Sequence, residues 1–149
     1  MPEIGFYHLT RTPLDQALPR LLARVLQQQG RALVLAGSAV RVAALDDSLW
    51  KGSDPDWLPH GSARAGHAAM QPIWLTETDG PAPNGARFLF LVDGASSAYL
   101  DGYDRVFDLF DGNDAEALAA ARQRWRSAKA AGHSLSYWQQ GERGWEKKA

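Results

Sequence analysis

The stretch Ile4–Ala36, IGFYHLTRTPLDQALPRLLARVLQQQGRALVLA, decides the fold class. Ile4 to Leu9 has the length and apolar content of a strand. Thr12-Pro13 then opens a helix, with Thr12 at the N-cap and Pro13 at the first helical position. Leu14, Ala17, Leu18, Leu21, Leu22, Val25 and Leu26 recur at the spacing of a one-sided helix. Gly30 stands where a left-handed C-cap belongs. Ala32–Ala36 is apolar throughout, as expected of a central strand buried on both faces. Gly37-Ser38 begins a second helix that runs to about Trp50. A β-α-β-α opening predicts an α/β fold: a single three-layer, Rossmann-like domain, its five-stranded, mostly parallel sheet carrying helices on both faces.

Downstream the pattern is less regular. Residues 51–71 are dominated by Gly, Ser, Asp, Pro and His and read as one long loop. Pro72–Thr76 is the third strand. Asp79–Ala86 (DGPAPNGA) is too short and too rich in Pro and Gly for a crossover helix, so the fourth strand, Arg87–Val92, is expected antiparallel or at the sheet edge. Arg105–Phe110 is the fifth strand. The last helix spans about Asp114 to Ala131, with Asn113 and Glu116 at capping-box spacing and Gly132 as its stop. The expected domain is residues 1–140. Residues 141–149 read as a polar tail free to move.

Composition narrows the function. The 149 residues carry 16 Lys and Arg against 17 Asp and Glu, a formal net charge of -1. Proteins that grip nucleic acid by its phosphates usually carry a basic excess, so strong direct binding is disfavoured, although a local patch remains open. With no cysteine, thiol nucleophiles and thiolate-ligated metals are excluded, and a reducing cytoplasm fits. Neither a signal peptide nor a membrane span is expected.

The first strand runs into Thr10-Arg11-Thr12-Pro13-Leu14, a turn without the glycines that phosphate-cradling loops need. Nucleotide binding there is not expected, and no cofactor is. Carboxylates do follow strand ends at Glu77, Asp79, Asp93 and Asp111. With the loop histidines His60 and His67 they allow one catalytic alternative, a metal-dependent hydrolase. The competing explanation is that these acids merely cap loops and keep them solvated.

Two features fit protein binding better. On the last helix Ala117, Ala120, Ala121, Ala128 and Ala131 share one side, interrupted by Arg124. Leu118, Arg122, Trp125, Arg126 and Lys129 share the other. With the alanines buried, three cations and a tryptophan form an exposed stripe suited to an acidic peptide. The plain alternative puts Trp125 in the core. The second feature is Trp57-Leu58-Pro59, large apolar residues in a polar loop. They are either a plug into the core or a protruding partner anchor.

Taken in order, several segments resemble the chi subunit family of bacterial DNA polymerase III. They are Phe6-Tyr7-His8-Leu9; Gly30–Leu35; Leu45-Asp46-Asp47-Ser48-Leu49-Trp50; Trp57-Leu58-Pro59-His60-Gly61; Gln71-Pro72-Ile73-Trp74-Leu75; Arg122-Gln123-Arg124-Trp125; Ala131-Gly132-His133; and Tyr137-Trp138. The resemblance implies a non-enzymatic clamp-loader accessory protein with a nucleotide-binding-like fold that lacks phosphate machinery. It implies binding to the acidic C-terminal tail of single-stranded-DNA-binding protein, with the carboxylate-binding arginine at Arg122 and its neighbouring aromatic at Trp125. Phe110 and Tyr137 align with further pocket positions. A family lysine one turn before the arginine is replaced by Leu118, leaving Arg126 or Lys129 to supply that charge. The second implied partner is the small psi subunit, or another clamp-loader or helicase partner, met at Trp57.

Overall fold

A computed structural model describes residues 2–51, 59–63 and 66–149. In chain order the elements are β1 (Glu3–Leu9), α1 (Leu14–Gln27), β2 (Ala32–Leu35), α2 (Ala39–Trp50), β3 (His60–Ser62), β4 (Ile73–Thr76), β5 (Phe88–Leu91), β6 (Arg105–Asp111), α3 (Ala115–Ala130), β7 (Ser134–Gly141) and β8 (Gly144–Lys147). One sheet holds the eight strands found among the described residues, in the order β3-β4-β2-β5-β6-β1-β7-β8. Every pairing is parallel except β7 with β8.

Alternation along the central strands sets up two cores, because successive side chains leave a strand on opposite faces. Ala32, Val34 and Ala36 face α1 and α2, joining Leu18, Leu22, Val25 and Leu45. Leu33 and Leu35 face the other way and join Phe6, Leu89, Val106, Phe110 and Ala121 of α3. The predicted α/β class with helices on both faces agrees with this arrangement; the count of five strands does not.

The three extra strands are β3, β7 and β8. β3 lies inside the segment read as a loop: His60-Gly61-Ser62 pairs with Ile73-Trp74-Leu75, three residues too few to show a period. β7 alternates as Ser134-Leu135-Ser136-Tyr137 and pairs in parallel with β1. The nine residues read as a mobile tail contain β8, which folds back on β7 through a turn where Gly144 has φ +117°, a conformation open chiefly to glycine.

The fourth strand also differs from expectation. β5 is central and parallel, between β2 and β6. A parallel connection usually uses a helix. Here residues 77–87 return along the α3 face as an irregular segment, compatible with Gly80, Pro81, Pro83 and Gly85. Buried Asn84 pins this crossover: its amide donates to the carbonyls of Ala32, at 3.1 Å, and Gln71, at 3.0 Å.

Helix starts differ slightly from the sequence pattern. Pro13, not Thr12, is the N-cap of α1. Asp114, not Asn113, caps α3, its carboxylate accepting from the backbone N–H of Glu116 and Ala117. Gly132 (φ +88°) ends α3 as expected. No helix among the described residues is long and apolar enough to cross a membrane.

Candidate functional site

The β1–α1 turn shows what became of the phosphate-loop position. The backbone N–H groups of Thr10, Arg11 and Thr12 converge on one oxygen, Oε1 of Gln140, at 2.9, 2.8 and 3.1 Å. The Gln140 amide nitrogen in turn donates to the Thr12 hydroxyl at 2.6 Å. A side chain of β7 therefore satisfies the donors that a phosphate would meet in a glycine-rich loop.

A large cavity, about 950 Å³, lies beside this turn at the carboxyl ends of β1, β5 and β6. Two of its arginines, Arg41 and Arg124, are held in ion pairs. Arg41 binds Asp93 at 2.8 Å. Arg124 forms a two-pronged pair with Asp108, at 2.7 and 2.9 Å. Asp108 is 3% exposed. Burial pushes its carboxyl above the ordinary value, and Arg124 opposes that rise.

The hydrolase residues are not brought together. Asp79 accepts from the Ser97 hydroxyl and the Ala98 N–H, and Asp93 is paired with Arg41. His60 starts β3 opposite Ile73, whereas Glu77 follows Thr76 at the other end of the parallel strands. His60 lies 3.0 Å from Asp46, and exposed His67 precedes a helical turn at Ala68–Met70. Among the described residues no three potential ligands cluster to hold a metal ion.

A second cavity, about 420 Å³, opens between α3 and the strands β6 and β7. Phe110, Trp125 and Tyr137 line it with Ala121, Arg122 and Arg126, and Ala149 touches its rim. Five of the six residues expected for peptide binding thus meet; exposed Lys129 does not line it.

The division of α3 into faces needs correction. Ala121, 2% exposed, is the buried centre, while Ala120 and Ala131 are exposed. Leu118, Trp125 and Ala128 pack partly against the core, so Trp125 is both core and cavity wall. Its ring meets Phe6 edge-on at 5.3 Å and Tyr137 at 5.8 Å. Arg124, the interruption on the alanine side, is accommodated by Asp108 from β6.

The other wall is held by His8, a residue the sequence pattern did not single out. The Tyr137 hydroxyl and His8 Nδ1 are hydrogen-bonded at 2.7 Å, and the His8 ring stacks on Phe110 at 5.1 Å. Gly112 is required behind this ring, because a Cβ there would overlap His8. Burial raises the Tyr137 phenol, and the positive charge of Arg122 opposes the rise. Arg122 and Arg126 are exposed at the rim, and no ion pair engages either among the described residues. The arrangement is an apolar socket of one or two rings' size, edged by guanidinium groups able to bind a carboxylate through two parallel hydrogen bonds. Trp57 and Leu58 lie outside the described residues; Pro59 is half-buried just before β3.

Residues 1–136 match the family model described as DNA polymerase III chi subunit, HolC. A protein of Rickettsia prowazekii (strain Madrid E) named probable DNA polymerase III subunit chi is 26% identical over 110 residues, covering 72% of this chain and 66% of that relative. The match spans nearly the whole α/β sheet, from β1 through the part of β7 that carries Ser136. On this evidence the chain belongs to the DNA polymerase III chi subunit family.

Proposed function

We propose that this chain is a non-catalytic accessory subunit of DNA replication that binds the acidic C-terminal tail of single-stranded-DNA-binding protein and links it to the DNA polymerase III clamp loader. One observation carries the reading: an apolar socket walled by Phe110, Trp125 and Tyr137, with Arg122 and Arg126 exposed at its rim. A tail ending in an aromatic residue with a free carboxylate matches both halves. The ring enters the socket, and Arg122 meets the carboxylate. Upstream acidic residues gain from Arg126 and Lys129 mainly by steering. Family membership supports the replication context. The clamp-loader contact, through a psi subunit or a helicase-like partner, is assigned to Trp57, Leu58 and Pro59. The protein works in the cytoplasm without a cofactor.

The test immobilises single-stranded-DNA-binding protein with and without its last residues and measures capture of this chain. Capture should require the intact tail, and amidating the terminal carboxylate of a tail peptide should weaken binding as strongly as removing Arg122. Equal capture by the truncated protein would refute the assignment.

A further inference from the structure

A third cavity, about 270 Å³, lies on the opposite face of the sheet, between α1 and the β7–β8 hairpin. Its walls include Tyr7, Phe107, Trp138 and Trp145, with Arg24 and Arg105 among them. Tyr7 and Trp138 lie parallel, 6.0 Å apart with 5° between planes, and Trp145 meets Tyr7 edge-on at 5.0 Å. Both tryptophans are only half-buried.

Cations are arranged on these rings. The Arg105 guanidinium sits 5.1 Å from the Phe107 centroid, and the Lys147 ammonium 6.0 Å from that of Trp138. Arg24 is exposed on α1. Arg105 Nε is buried and has no hydrogen-bond partner among the described residues. The neighbouring acids offset this only in part. Glu3 lies across from Arg105 in the sheet and accepts a hydrogen bond from Ser136. Glu146 follows Trp145 and so points to the other face of β8, where Lys148 binds it at 3.2 Å. Arg24, Arg105 and Lys147 outnumber Glu3, so this patch is cationic although the whole chain carries -1.

Flat ring faces together with arginine and lysine select a ligand that is planar and anionic at once. Nucleic acid offers a base and a phosphate at every residue, whereas a peptide pairs a ring with a carboxylate only at particular positions. Base faces are free in single strands and hidden in a duplex. The volume, about 270 Å³, is of the order of one nucleotide. We propose that this cavity holds one nucleotide of single-stranded DNA, with the base against Trp138 and Trp145 and the phosphate near Arg24 and Lys147. The contact is weak by itself and independent of the α3 socket.

Fluorescence polarisation with a labelled oligothymidylate at low salt tests this. The parent should bind it better than a duplex of equal length. Arg24→Ala with Lys147→Ala, two exposed positions, should cost about tenfold or more at low salt and flatten the log–log salt dependence by roughly 1.4, about 0.7 for each lost phosphate contact. Circular dichroism checks that the variant stays folded, and quenching of tryptophan emission by the unlabelled strand reports base stacking. The proposal fails if the parent shows no binding at low salt, if the double variant binds as the parent does, or if duplex binds equally. It also fails if an aspartate-rich, phenylalanine-containing peptide takes the DNA's place and depends on Arg24 and Lys147.

Discussion

The two cavities beside α3 share Phe110 and the helix itself, yet their arginines meet opposite fates. In the larger one Arg124 is consumed by buried Asp108, Arg41 by Asp93, and the backbone donors of the β1–α1 turn by Gln140. In the smaller one Arg122 and Arg126 stand at the rim of an apolar socket. Size alone therefore does not favour the larger cavity. The large cavity occupies the place where α/β sheets collect ligands, but two of its arginines and the backbone donors of its turn already have partners. The small one has apolar surface and charge left to offer.

The largest expected effect breaks the self-satisfied side. Arg124→Ala leaves the Asp108 carboxylate buried and unpaired, which should cost about 3–5 kcal/mol near neutral pH. The sign of the pH dependence follows from burial. Asp108 is already raised in the folded protein, so only between its unfolded and folded values does the fold retain a proton that the unfolded chain has released, and this carboxyl's contribution to stability falls as pH rises through its folded value. Removing Arg124 raises it further. Urea denaturation of the variant should show part of the loss recovered in mildly acidic buffer. A deficit independent of pH would mean that the pair is not what was lost.

On the open side, Arg122→Ala should cost about 2 kcal/mol or more of tail-peptide binding, since a charge-assisted bond goes and a carboxylate is left poorly paired. Its melting temperature should stay close to the parent's. Polarisation with a labelled peptide, paired with a thermal melt, separates the two quantities. If Arg122→Ala lowers stability and spares binding, the contrast between the two arginines is reversed.

A smaller effect is expected at Tyr137→Phe. The ring stays and the hydrogen bond to His8 goes, at about 1 kcal/mol. The loss should appear in stability and, through a looser socket wall, in peptide affinity. Lys129→Ala should cost less than ~1 kcal/mol of binding, as exposed pairs do, and should vanish in high salt while the Arg122 effect persists in part.

Much of this was legible in the sequence. The i, i+3, i+4 spacing of α1 and the unbroken apolar run Ala32–Ala36 specify an α/β layer locally, because each depends only on residues near in the chain. Arg122, Trp125 and Arg126 could be grouped because helical spacing alone puts them on neighbouring turns. Phe110 and Tyr137 entered through family resemblance, since no local period links residues on two different strands.

What escaped was non-local. The centre of the buried face of α3 depends on which side meets the sheet, and there Ala121 and Trp125 won over Ala120 and Ala131. An isolated pattern could not weigh Arg124, because its partner Asp108 is brought to it from β6 by packing. β5 is parallel because Asn84 holds an irregular crossover against Ala32 and Gln71. β8 exists because β7 offers it an edge. Local spacing determined the helices and the central strand; only tertiary structure decided which polar groups were satisfied internally, because a charge or a hydrogen-bond donor finds its partner through space rather than along the chain.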